Sequence, residues 1–163
     1  MSFIKKVLSE KLKHVLWLTV VVLLAIYLLF GLKYKLVWTN GTSMEPTIQD
    51  REMLVALRVG KNWSPSRYDI VVIQDSDRVW PRERITKRII GLGGERIKIQ
   101  DGYFYINGKK LKGDSYGSHN LDFEIKEITI PKGCVFVIGD NRNDSMYGLF
   151  LIEEVTGEVI NVY

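Results

Sequence analysis

The hydrophobic pattern of the chain changes once, from an apolar N-terminal segment to a longer region of short, interrupted runs. Residues 15–32 read VLWLTVVVLLAIYLLFGL and contain no Asp, Glu, Lys or Arg. A helix of this length rises about 27 Å, close to the thickness of a hydrocarbon core. The pattern predicts a transmembrane anchor. Two alternatives are a cleaved signal peptide, whose apolar region is usually shorter and ends in a small-x-small site, and a helix buried in a soluble core.

Beyond about residue 38 the pattern predicts a mainly β domain, a sandwich or open barrel, because β-rich runs alternate with Gly, Asn, Asp and Pro. An Asn107-Gly108 pair between Tyr103–Ile106 and the following Lys109-Lys110-Leu111 predicts a tight hairpin. The candidate strands are Glu52–Arg58, Ile70–Gln74, Arg84–Ile90, Arg96–Gln100, Tyr103–Ile106, Ile125–Ile130, Val135–Ile138 and Thr156–Val162. A polar segment, GDSYGSHN at residues 113–120, predicts an exposed loop.

The net charge of +4 is concentrated at the N-terminus. Residues 1–14 hold four lysines and one glutamate, whereas the other 19 basic and 18 acidic residues leave the rest close to neutral. This distribution argues against a nucleic-acid surface and predicts a single-pass protein of the cell membrane. Residues 1–14 form a cytoplasmic basic flank, 15–32 the anchor, and 33–163 an extracytoplasmic domain. One cysteine, Cys134, and two histidines predict no disulfide and no metal site.

Three segments carry candidate chemistry. Ser43 lies in GTSMEPTI, eleven residues after the predicted anchor, and a serine needs an adjacent base to become nucleophilic. His14 and His119 are not in a context typical of a Ser-His-Asp triad. Lys87 in RITKRIIGLGG shares a predicted strand face with isoleucines, and burial there would favour its neutral form. Taken singly, the serine also fits an ordinary turn, and the lysine fits a snorkelling side chain at a sheet edge.

The third segment, GCVFVIGDNRNDSMYG at residues 133–148, runs from an apolar strand into a polar turn. We expect this turn to be ordered by a carboxylate–guanidinium pair or by Asn and Asp side chains bonded to nearby backbone.

The three segments together resemble type I signal peptidase, in the small single-span form typical of Gram-positive bacteria. The resemblance implies that Ser43 is the nucleophile and Lys87 the general base, with the Ser43 backbone N–H helping to hold the oxyanion. Met44 and Pro46 match positions that shape the loop around the serine. The implied fold is a catalytic domain of antiparallel β-sheets.

The same resemblance assigns supporting roles to the polar turn. Asp140, Asn141 and Arg142 match a turn that braces the site. Ser145 matches either the serine that hydrogen-bonds the lysine or a later one, because the last block is shorter here than in the family.

The resemblance implies a membrane-bound serine endopeptidase that needs no metal or cofactor. Its partners would be the lipid bilayer and exported preproteins, whose signal peptides it removes after small-x-small sites at the outer membrane surface. The shortened last block motivates an alternative: a specialised or non-catalytic homologue that serves pilin or surface-structure assembly.

Overall fold

A computed structural model describes residues 2–74, 84–116 and 121–162, with side chains from residue 10 onward. The chain divides into two units, Met1–Tyr34 and Lys35–Tyr163. Of the predicted features, His119 and the end of the polar loop lie outside the described residues.

The first unit is a single helix, α1, at Ser2–Lys33. It extends beyond the predicted anchor at both ends. Glu10–Lys33 is long and apolar enough to cross a membrane, judged by length and composition. The side chains of residues 10–33 are exposed, in contrast with the buried soluble helix considered as an alternative.

The second unit consists mainly of strands. These are β1 (Tyr34–Trp38), β2 (Met53–Arg58), β3 (Ile70–Gln74), β4 (Arg84–Leu92), β5 (Arg96–Gln100), β6 (Tyr103–Ile106), β7 (Lys109–Lys110), β8 (Ile125–Thr129), β9 (Cys134–Ile138), β10 (Tyr147–Leu151) and β11 (Val155–Val162). A 3-10 turn, Ile152–Glu154, separates the last two.

The strands form two sheets, as expected for a mainly β domain. The larger sheet has the order β1-β2-β11-β3-β4-β9-β10, and the smaller has the order β7-β6-β5-β8. Pairing is antiparallel in β2–β11, β11–β3, β3–β4, β4–β9 and β9–β10, and throughout the smaller sheet. The pair of β4 and β9 begins at Arg88↔Ile138, so β9 covers only the C-terminal half of β4.

Buried apolar side chains divide into three clusters. The first joins the two sheets through side chains such as Ile90, Ile99 and Phe136. The second lies within the larger sheet. The third contains Met44 and Ile48 together with residues of β1, β2 and β3, and therefore anchors the segment that carries Ser43.

The predicted hairpin is confirmed, since Asn107 and Gly108 both have positive φ, at 52° and 78°. Every predicted strand is present with small changes at its ends. The second arm of the hairpin is β7, and two further strands, Tyr34–Trp38 and Tyr147–Leu151, were not predicted. The first follows the helix without a turn residue, and the second is short and contains a glycine, so neither gives a clear strand signal.

Candidate active site

The Ser43 segment is a compact turn between β1 and β2, held from both sides. Met44 is buried in the third apolar cluster. On the polar side, Gly41 N–H donates to Asp50 Oδ1 at 2.7 Å, and Thr39 N–H donates to the Glu52 carbonyl oxygen at 3.0 Å. Gly41 has φ of 101°, a conformation that side chains other than glycine rarely adopt. The backbone of the segment that carries Ser43 is therefore held in one conformation.

The Pro46 that was predicted to shape this turn follows a cis peptide bond and is exposed. Its carbonyl oxygen accepts a hydrogen bond from Gln49 Nε2 at 3.2 Å, within the same turn.

Lys87 is buried, with 4% of its surface exposed, and its Nζ lies 2.6 Å from Ser43 Oγ. Burial lowers the pKa of Lys87 from 10.5 to about 8, because a charged ammonium is poorly solvated there, while the Asp140 carboxylate acts in the opposite direction. The lysine is thus partly neutral near physiological pH. A neutral amine at this distance can accept the serine proton.

The predicted polar turn contacts the serine segment directly through Asn141. Its backbone N–H donates to the Ser43 carbonyl oxygen at 3.1 Å, and its Nδ2 donates to the Thr42 carbonyl oxygen at 3.2 Å. The Thr42 carbonyl and the Ser43 N–H belong to one planar peptide group. Asn141 therefore fixes the direction in which the Ser43 N–H points.

Gly139 allows this close approach. A Cβ at this position would collide with the Ser43 carbonyl oxygen and with Ser145 Oγ. Ser145 Oγ accepts a hydrogen bond from the Gly139 N–H at 2.9 Å and donates to the Met146 carbonyl oxygen at 3.1 Å. In this structure Ser145 therefore supports the backbone beneath the serine segment.

The carboxylate–guanidinium pairs that we expected in this turn connect it to other elements. Asp140 is fully buried and accepts from Arg88 Nε at 2.8 Å and from Arg88 Nη2 at 2.7 Å. Arg142, 1% exposed, makes a two-bond pair with Asp114 at 2.8 Å and lies 3.8 Å from Asp140. The predicted exposed loop is thus tied down at Asp114.

Sequence reasoning missed Arg88 and Asp114 as parts of this network. Arg88 follows Lys87 directly in the sequence. These two adjacent cations on one strand are the pattern that could have indicated that Arg88 has a charged partner. A strand with both of its faces buried gives no alternation that would reveal a paired arginine. For Asp114, nothing in the polar segment distinguishes a buried ion pair from a solvated turn.

A cavity of about 320 Å³ opens beside the serine and the lysine. It is lined by Trp38, Thr39, Asn40, Gly41, Ser43, Met44, Ile48, Arg84, Ile85, Thr86 and Lys87. Most of these belong to the serine segment and to the half of β4 that β9 does not cover. The two reactive groups therefore meet at a surface that an extended chain can reach.

The family described as "Signal peptidase, peptidase S26" matches residues 12–163. The chain belongs to this family. It is 32% identical over 139 residues to signal peptidase I of Bacillus caldolyticus, covering 74% of each protein. It is 38% identical over 117 residues to signal peptidase I V of Bacillus subtilis (strain 168), covering 63% of this chain and 67% of that one.

Among solved structures, a signal peptidase I from Enterococcus faecalis V583 is 29% identical, with a TM-score of 0.45. The alignment covers 61% of this chain and 98% of that one. Membership of the signal peptidase family makes the chain a serine peptidase, in agreement with the resemblance stated from its motifs.

Proposed function

We propose that the chain removes N-terminal signal peptides from exported preproteins by a Ser43–Lys87 mechanism. The observation that carries the proposal is the 2.6 Å approach of Lys87 Nζ to Ser43 Oγ at a buried position. Family membership supports the substrate class, because the relatives are named signal peptidases.

In the first step neutral Lys87 takes the Ser43 hydroxyl proton as Oγ attacks the scissile carbonyl carbon. The resulting Lys87 ammonium returns this proton to the leaving amine, and an acyl-enzyme remains on Ser43. Water then gives a proton to Lys87 and attacks the ester, and the Lys87 ammonium passes this proton to Ser43 Oγ as the ester bond breaks. This step releases the cleaved signal peptide and restores the serine hydroxyl and the neutral lysine.

The tetrahedral oxyanion needs donors that are already oriented. The Ser43 N–H is one candidate, since Asn141 fixes the peptide group to which it belongs. The neighbouring residue Gly41 has no side chain that could add a donor. Asp140 and Arg142 support this arrangement through the polar turn, and Met44 supports it from the apolar side.

The anchor and the basic flank suggest where the reaction takes place. Glu10–Lys33 has the length and composition of a membrane span, and four of the chain's lysines precede residue 15. Positively charged flanks usually stay in the cytoplasm. We therefore place residues 33–163 outside, next to the lipid bilayer, where a translocated precursor would present its small-x-small site.

The test is cleavage of a precursor with an Ala-x-Ala site by the full chain in detergent. Ser43→Ala and Lys87→Ala should each lower kcat/KM by about 10³-fold or more, because each removes one member of the reacting pair. Lys98→Ala is the matched control, since Lys98 lies on a strand of the smaller sheet and should leave the rate unchanged.

If wild-type protein that is folded cuts no such precursor, the proposal is wrong and the non-catalytic alternative is favoured. Full activity of Ser43→Ala would contradict the assignment of the nucleophile. Cleavage should need no added metal and should continue in the presence of a chelator.

A further inference from the structure

The rim of the proposed catalytic cavity is positively charged. The described residues that line it include two cations, Arg84 and Lys87, and no carboxylate. Lys87 is buried, whereas Arg84 is exposed at the start of β4. The Asp50 carboxylate lies close to the lining, but it accepts a hydrogen bond from Gly41 N–H and pairs with Arg51 Nε at 3.5 Å. Arg84 is therefore the exposed charged group of this lining.

A second cation reinforces the charge at Arg84. The side chain of Lys35 crosses the sheet over Gly157, where a Cβ would collide with its Cε, and its Nζ donates to Thr156 Oγ1 at 2.7 Å. The pKa of Lys35 is lowered to about 8, first by burial and then by the charges of Arg84 and Arg58. Like charges lower a lysine pKa because they repel the ammonium form. Arg84 and Lys35 therefore lie in one region of positive potential.

The position of Arg84 on β4 relates this charge to the substrate. Arg84 is three residues before Lys87, about 10 Å along a strand that rises about 3.3 Å per residue. β9 pairs with β4 only from Arg88 onward, so residues 84–87 border the cavity. An extended precursor lying along this border would bring a side chain near Arg84 about three residues from the bond that is cut.

We propose that Arg84 is a specificity-determining residue, which favours precursors with Asp or Glu within two to four residues of the cleaved bond, outside the two small positions of the cleavage site, and disfavours Lys or Arg there. The inference rests on the proposed function. An exposed ion pair changes an equilibrium by up to about fivefold, so we expect Asp and Lys precursors to differ by about fivefold to tenfold in kcat/KM.

The experiment uses precursor peptides that differ at one position, which carries Asp, Asn or Lys. The position is varied from two to four residues on either side of the cleaved bond, except that the alanine three residues before it is kept, because the Ala-x-Ala site requires it. Each peptide is given to the full chain in detergent, as wild type, Arg84→Glu and Lys126→Glu. The last variant makes the same charge change at an exposed site on β8. Affinities are also measured in a Ser43→Ala background, which separates binding from cleavage.

At one or two adjacent positions, wild type and Lys126→Glu should prefer Asp over Lys, and Arg84→Glu should reverse the order. The preference should weaken as salt is raised, because a rim charge is screened. Equal values for the three peptides at every position, or an unchanged preference in Arg84→Glu, would overturn the inference. Preferential binding of Asp peptides without any cleavage would support the inference while contradicting the proposed function.

Discussion

Replacing Lys87 with methionine should make the chain more stable at neutral pH while abolishing cleavage. The lysine is 4% exposed, and burial lowers its pKa from 10.5 to about 8. Its folded-state pKa is thus below its unfolded-state pKa, so the unfolded chain binds more protons between pH 8 and 10.5. The contribution of Lys87 to the free energy of unfolding therefore rises with pH in this window. Below pH 8 the full cost of burying its ammonium group applies.

The size of the Lys87 pKa shift sets the size of the expected stability difference. A difference of about 2.5 pH units in pKa corresponds to about 3 kcal/mol of lost stability when both states are protonated. By linkage, about 2.5 kcal/mol of this penalty disappears between pH 7 and pH 10. Methionine has a similar length, fills the same space and carries no charge, so the variant lacks this pH-dependent contribution.

The assay is urea unfolding of both full-length proteins in detergent, followed by tryptophan fluorescence from pH 7 to pH 10. The quantity of interest is the difference in the free energy of unfolding between Lys87→Met and wild type. Contributions that do not titrate, such as the altered packing and the lost hydrogen bond to Ser43, are constant in this difference. Titration of Lys35 occurs in both proteins and cancels.

The advantage of the variant over wild type should shrink by about 2.5 kcal/mol as the pH rises from 7 to 10. Arg96→Met is the control, since an arginine on the smaller sheet keeps its charge over this range and its difference from wild type should stay constant. A Lys87→Met difference that also stays constant would refute the depressed pKa and, with it, lysine as a base near neutral pH.

Two further predictions concern the polar turn. Gly139→Ala should lower kcat/KM for an Ala-x-Ala precursor by about 100-fold or more, because the new methyl group displaces the Ser43 backbone; an unchanged rate with the native circular dichroism spectrum would contradict the close approach. Asp140→Asn should move the rise of activity to lower pH, because the Asp140 charge raises the pKa of Lys87. The same variant should lose about 3–5 kcal/mol of stability in urea unfolding, because Arg88 stays buried without its counter-charge. An unshifted pH profile of activity would contradict the electrostatic influence of Asp140 on Lys87.

The sequence was sufficient for most of the strands because their apolar runs end in turn residues, whereas β1 and β10 were missed. Asn107-Gly108 is the clearest case, since the required positive φ at both positions is nearly specific to such pairs. The order of strands in the larger sheet could not be predicted in this way. Its interior strand β11 comes from the C-terminal end of the chain and lies between β2 and β3, and such long-range pairing leaves no local pattern.

For the site, motif resemblance selected Ser43 and Lys87, and the structure places them side by side. Their catalytic roles remain a proposal. The residues that the sequence did not indicate are those whose partners are distant in the chain. Arg88 and Asp140 are 52 positions apart in the sequence, and Arg142 and Asp114 are 28 positions apart. Without knowledge of such a partner, a charged residue is predicted to be exposed to solvent.

The buried pairs explain how a lysine can stay partly neutral beside a carboxylate. An unpaired Asp140 next to Lys87 would form an ion pair with its ammonium, and a protonated lysine cannot accept the serine proton. Instead, both Asp140 oxygens accept hydrogen bonds from Arg88, and Arg142 lies 3.8 Å away. The guanidinium groups compensate the carboxylate charge, so burial remains the larger influence on the pKa of Lys87. The polar turn can therefore brace the serine segment without protonating the base.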